Sequence, residues 1–317
     1  MTRKILSNLN PRAYEHPFDR ASLDRLERTR GLKPLTQRVL DYGLERYLTI
    51  KHTGNNLRVY QERIPEIHNL LLEACRVMDM WQVPELYIEL EDKIRSFTVG
   101  QKRQIIVLSS GAIDLLSDDE ILFMLGRELG HIRSQHVLYG MMADQLRVIT
   151  QLISDATLGI GNLLSMPLQV ALMHWYRMSE FTADRAGLLV CQDPDIAARA
   201  LIKVAGLPVK YHDRISVEDL KKQASAFDDI QESTFDKLIR FVAGYENSQP
   251  FTIIRASQLF KWVQSGTYEA ILDGTRGELL EDEDRCPKCH YPAGKDDLFC
   301  TQCGFRLNRA QEPDFPA

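Results

Sequence analysis

The chain has 317 residues, of which 44% are hydrophobic and 26% charged, with a formal net charge of −5. That length accommodates one large domain with appendages or two domains, and the composition is that of an ordinary soluble globular protein. The acidic balance excludes a dedicated nucleic-acid binder, whose contact face would be basic, so no nucleic-acid partner is expected.

Residues 1–60 run against that balance, with 12 Lys and Arg to 6 Asp and Glu. "DRASLDRLERT" and "LTQRVLDYGLERYL" carry apolar residues at intervals of three and four, which predicts a helical segment packed on the following domain (61–275). The basic excess reads as solvated helix faces. No apolar core of a signal peptide is visible at the amino terminus, so a cytoplasmic protein is expected. "LYIEL" and "QIIVLSS" are short apolar or β-branched runs bounded by Pro, Gly and Ser, the pattern of strands. Ser117-Asp-Asp-Glu120 is a capping box that starts a helix just before Ile121. Ile121, Leu122, Leu125, Leu129 and Ile132 then recur at helical spacing, leaving Glu128 and His131 together on another region of that helix.

Residues Ala156 to Met173, "ATLGIGNLLSMPLQVALM", hold no charge but are interrupted by glycines and Pro167. They predict a buried or membrane-skimming helical pair, with peripheral membrane contact left open and no transmembrane span. A second long helix is predicted through "ALMHWYRMSEFTADRAGLLVCQD", broken near Asp193-Pro194, with further helices in 195–240 and 255–275. Residues 276–285 read as an acidic linker.

Cys75 and Cys191 stand alone in apolar surroundings and read as buried thiols. The other four cysteines form two pairs, Cys286-Pro-Lys-Cys289 and Cys300-Thr-Gln-Cys303, ten residues apart. Four thiolates at that spacing suit one tetrahedral zinc, which predicts a zinc ribbon over 286–306. Two disulfides would fit neither the spacing nor the missing secretion signal. The ribbon is expected to stabilise the chain or to dock a protein partner, because Lys295 is offset by Asp296 and Asp297.

The stretch "GRELGHIRSQH", Gly126 to His136, reads R-E-x-x-H. In H-E-x-x-H, two histidines one helical turn apart bind zinc, and the glutamate is general base for a metal-bound water. Alone, the variant stretch would be a solvated helix face with a core histidine. Downstream, "SEFTADRAG" supplies Glu180 and Asp184 one turn apart and able to converge on the same site. His136 lies about 140° round the helix from His131. His174, six residues before Glu180, is similarly misplaced. Both predict packing or surface histidines, and Trp175 and Met178 read as core.

"LSSGAIDLLSDDEILFMLGRELGHIRSQHVLY" followed by "WYRMSEFTADRAG" resembles the HtpX-like zinc metallopeptidases, relatives of the prenyl-protein CAAX proteases, from about Tyr60 to Trp262. The resemblance implies an α+β, mainly helical, zincin-like (gluzincin) fold: a small sheet with the active-site helix beneath its edge strand. It also implies roles: His131 as zinc ligand, Glu128 as base, Glu180 as third protein ligand and Asp184 as the carboxylate that orients a ligand. Three departures fall on the same region. Arg127 stands where the family has its first ligand histidine. Arg95-Ser96-Phe97 replaces an Asn-Ala-Phe pattern that holds the substrate backbone. Gln249-Pro250 replaces a His-Pro pair, while Arg255 matches a family arginine.

A guanidinium stays protonated and offers no lone pair, so Arg127 cannot ligate a metal. His131 and Glu180 alone fall short of the three protein ligands usual at a catalytic zinc. Arg127 is therefore expected to pair with Glu180 or Asp184 in the place of zinc. Two readings follow. One is a peptidase homologue with hydrolysis lost or strongly impaired that keeps its cleft for a peptide or an unfolded protein. The other is a zinc metalloendopeptidase acting on unfolded or membrane-associated proteins through an altered metal site. Zinc is expected in the ribbon, and the readings divide on the catalytic zinc.

Overall fold

The computed structural model of the chain describes residues 3–41, 43–146, 149, 165–229 and 250–274. The expected linker 276–285, the ribbon cysteines Cys286, Cys289, Cys300 and Cys303, Gln249 and residues 156–164 lie outside the described residues.

Three helices open the chain: α1 (Pro17–Arg28), α2 (Leu32–Asp41) and α3 (Leu44–Asn55). After them come β1 (Leu57–Arg58), α4 (Pro65–Val77), β2 (Glu85–Glu89), β3 (Ser96–Val99) and β4 (Ile105–Ser109). Then follow α5 (Ser110–Leu115), α6 (Asp118–Arg133), α7 (Val137–Asp144), α8 (Met166–Cys191), α9 (Pro194–Val204), α10 (Val217–Asp229), α11 (Thr252–Gln264) and α12 (Thr267–Leu272). Among the described residues the fold is mainly helical with one small mixed sheet, ordered β1-β2-β4-β3. β2 runs parallel to β4, while β1 and β3 pair antiparallel with β2 and β4. Every residue of β4 is buried, as its uninterrupted apolar run requires of a central strand.

β3 is the open edge nearest α6. The Ser109 N–H donates to the Arg95 carbonyl at 3.0 Å, and Ser96 lies opposite Leu108. By antiparallel alternation, Phe97 and Val99 also turn their backbone groups to β4. Those of Ser96 and Thr98 therefore point outward along the edge.

The capping box closes as expected: the Ser117 N–H donates to Glu120 at 2.7 Å, and the Glu120 N–H donates back at 3.4 Å. α6 then runs buried on nearly every side. Its closest neighbour is α8, and small residues permit the approach. A methyl group at Gly126 would lie 2.6 Å from Val190 Cβ, and one at Gly130 would fall on Ala186. Gly130→Leu is accordingly expected to destabilise the fold by at least about 2 kcal/mol, as overpacking in a close-packed interior does, and chemical denaturation measures it.

α8 begins five residues earlier than "ALMHWY" suggests, because Pro167 sits in its first turn, where the missing N–H removes no helix bond. The break at Asp193-Pro194 is where the sequence predicts it. Gln192 is left-handed at φ 56°, and the Asp193 carboxylate caps α9. The expected helical run from 195 is divided: α9 stops at Val204, Gly206 adopts φ 98°, and α10 starts only at Val217. One hydrophobic core runs from Leu6 through β4 to Ile271, so the amino-terminal helices share it. Cys75 and Cys191 are buried free thiols. No described helix is long and apolar enough to cross a membrane.

Candidate active site

Arg127 projects from α6 toward Glu180 and Asp184, which lie one turn apart on α8. Its Nη2 donates to Glu180 Oε2, and its Nε donates to Asp184 Oδ1 at 2.8 Å. A second guanidinium arrives from α11: Arg255 Nε donates to Asp184 Oδ2 at 2.8 Å and Nη2 to Oδ1 at 2.6 Å. All four side chains are at most 3% exposed. Burial opposes every charge here, and mutual pairing overcomes it. The guanidinium of Arg127 is raised against burial by Glu180, Asp184 and Glu128. Burial pushes the Glu180 carboxyl up, but Arg127 and His131 hold it far below the usual carboxylate range.

Glu128 follows Arg127 on α6 and faces the edge strand. Its two oxygens accept hydrogen bonds from Ser96 Oγ at 2.6 Å and Thr98 Oγ1 at 2.9 Å. His131 lies one turn further. Its Nε2 is 3.6 Å from Glu180 Oε1, an ion contact longer than a hydrogen bond. Burial works against a charge on His131, but Glu180 and Glu128 outweigh it and raise its pKa.

His136 is buried, the packing role of the two that the sequence left open. α6 ends at Arg133 and the chain turns before α7, which brings the Nδ1 atoms of His131 and His136 within 3.2 Å. On its other side His136 Nε2 meets Asp19 Oδ2 of α1 at 3.2 Å. Asp19, fully buried, also accepts from Trp175 Nε1 at 3.0 Å and from Thr182 Oγ1. His136 and Trp175 are therefore polar partners of one buried carboxylate. Spacing could not reveal Asp19, which stands more than a hundred residues from every group it meets.

Above these groups an outer cleft of about 840 Å³ is lined by Arg95, Phe97, Arg127, Pro250 and Arg255. A smaller adjoining cavity of about 50 Å³ touches Glu128, His131 and Glu180, and the two share Ser96, Phe97, Asp144 and Tyr176. Arg95 reaches across from the strand, 3.7 Å from Asp144 and stacked over the Phe97 ring at 4.7 Å. Among the described residues, no three His, Cys, Asp or Glu side chains converge in a way that could hold a metal ion.

The profile of Peptidase family M48 matches residues 61–263, more than half of the chain. The chain belongs to peptidase family M48. Its match to the "Plastoglobule-localized metallopeptidase 48, chloroplastic" of Arabidopsis thaliana is 27% identical over 270 residues, covering 84% of this chain and 77% of that protein. The "Protease HtpX homolog 2" of Methanosarcina mazei is 24% identical over 186 residues, 52% of this chain and 62% of that protein. The "Protease HtpX homolog" of Helicobacter pylori strain Shi470 is 25% identical over 170 residues, 47% and 55% respectively. The chain thus spans less than two thirds of these two HtpX relatives. No solved structure matches it.

Proposed function

We propose that this M48 chain is a peptidase homologue that binds an extended peptide or unfolded protein without hydrolysing it, with Arg127 occupying the role of the catalytic cation. The observation that carries the reading is the Arg127–Glu180–Asp184–Arg255 cluster. The donor set does not fit a divalent cation: Arg127 contributes a positive charge and no lone pair, and it engages the carboxylate that would serve as a ligand. Among the described residues no third side chain joins His131 and Glu180 in a metal-holding group, which leaves the set one short of an ordinary zinc site even if Glu180 were released. Fixed guanidinium charge in turn removes the need for a metal to neutralise buried carboxylates.

Binding is supported by the outward backbone groups of Ser96 and Thr98, which can pair with an added strand at the lip of the outer cleft. The zinc ribbon at Cys286, Cys289, Cys300 and Cys303 belongs to this reading as a stabilising or protein-docking module. The test is cleavage of an unfolded protein by the unaltered chain, by Arg127→His, and by Arg127→His with Glu128→Gln. The unaltered chain is expected to bind without cleaving. Chelator-sensitive, Glu128-dependent cleavage by the unaltered chain would instead establish a working metalloendopeptidase with an altered site.

A further inference from the structure

Glu128 is a buried carboxylate whose role the cation cluster does not explain. It does not join Arg127 in pairing with α8; it turns to the edge strand. Ser96 and Thr98 are two residues apart, so their side chains leave the same face of β3 at a separation of about 6.8 Å. Only a group with two acceptors lying along the strand can engage both, and the Glu128 carboxylate does so, at 2.6 Å and 2.9 Å. Ser96 and Glu128 are buried, so water does not compete freely for these bonds. Each is charge-assisted, the stronger class of hydrogen bond.

A general base must turn a free lone pair to the proton it takes. Hydroxyl donors on both oxygens work against this by fixing the carboxylate along the strand. We infer that Ser96 and Thr98 form a second lock on this site, independent of Arg127, which holds Glu128 to the edge strand and withholds it as a base. The inference rests on the reading of the chain as non-hydrolytic and explains a further part of it. It makes the two hydroxyl residues positioning residues, acting through Glu128. Repairing position 127 alone would then restore metal binding without restoring hydrolysis.

The test uses the full chain in four forms: unaltered, Arg127→His, Arg127→His with Ser96→Ala and Thr98→Val, and Arg127→His with Ser96→Thr and Thr98→Ser. Zinc content and cleavage of an unfolded protein are read across pH for each. All three altered chains are expected to take up one zinc more than the unaltered chain. Arg127→His is expected to cleave about a hundredfold more slowly than the variant lacking both hydroxyls, the lower end of what a general base contributes. The hydroxyl-retaining variant should stay slow. Equal cleavage by Arg127→His and the released variant would overturn the lock while leaving the non-hydrolytic reading intact. Cleavage by the unaltered chain would overturn that reading instead. Should Arg127→His take up no zinc, amide exchange decides. Ser96→Ala with Thr98→Val in the unaltered chain must speed exchange at Phe97 and Val99 about tenfold, and unchanged exchange would overturn the lock.

Discussion

Arg127→Met is expected to destabilise the chain by about 3–5 kcal/mol, the cost of removing one partner from a buried ion pair and leaving its counterion unpaired. Glu180 loses its guanidinium, and Asp184 keeps only Arg255. Denaturant unfolding at neutral pH measures the loss. Adding Glu180→Gln to Arg127→Met should recover a large part of it, because the stranded charge goes with the carboxylate. The penalty also has a defined pH dependence. The Glu180 carboxyl is held below its ordinary value of 4.5, so its contribution is complete above that value and disappears as pH falls through its folded-state value. In Arg127→Met the carboxyl accepts a proton more readily, so the gap between the two proteins should narrow below about pH 4.5. A gap independent of pH would mean that Arg127 acts through packing alone.

Asp19→Ala is the second large effect expected, again about 3–5 kcal/mol, because three buried donors lose their acceptor at once. Trp175 Nε1, Thr182 Oγ1 and His136 Nε2 all converge on this carboxylate. Burial raises the Asp19 carboxyl, but His136 and Thr182 outweigh it and hold it below its ordinary value, so the group is a paired anion. Asp19→Asn retains one acceptor oxygen and should lose less than the alanine variant. The loss should be accompanied by faster amide exchange in α1, since Asp19 ties that helix to α8. If alanine and asparagine cost the same, the carboxylate is not serving as the common acceptor.

Much of this arrangement was legible because it is written in short-range chemistry. The Ser117–Glu120 capping box fixed where α6 begins, and helical arithmetic put Glu180 and Asp184 on one face. A guanidinium has no lone pair for a metal, so Arg127 marks the site as unusual from the sequence alone. The strands β2 and β4 announce themselves through apolar runs. β3 does not: "SFTV" is half polar, and its hydroxyls make sense only against Glu128, some thirty residues away. β1, of two residues, is too short to carry a pattern. His136 takes the packing role of the two that its spacing left open, but its approach to His131 was not legible because α6 stops at Arg133. Asp19 was missed because no local rule links a helix near the amino terminus to a tryptophan more than 150 residues later.

The most direct measurement is the zinc content of the unaltered chain purified with zinc present. One zinc per chain is predicted, held by the cysteine pairs and lost with Cys286→Ser and Cys289→Ser. Two zincs per chain, with the second surviving the cysteine changes and disappearing with His131→Ala, would contradict the account.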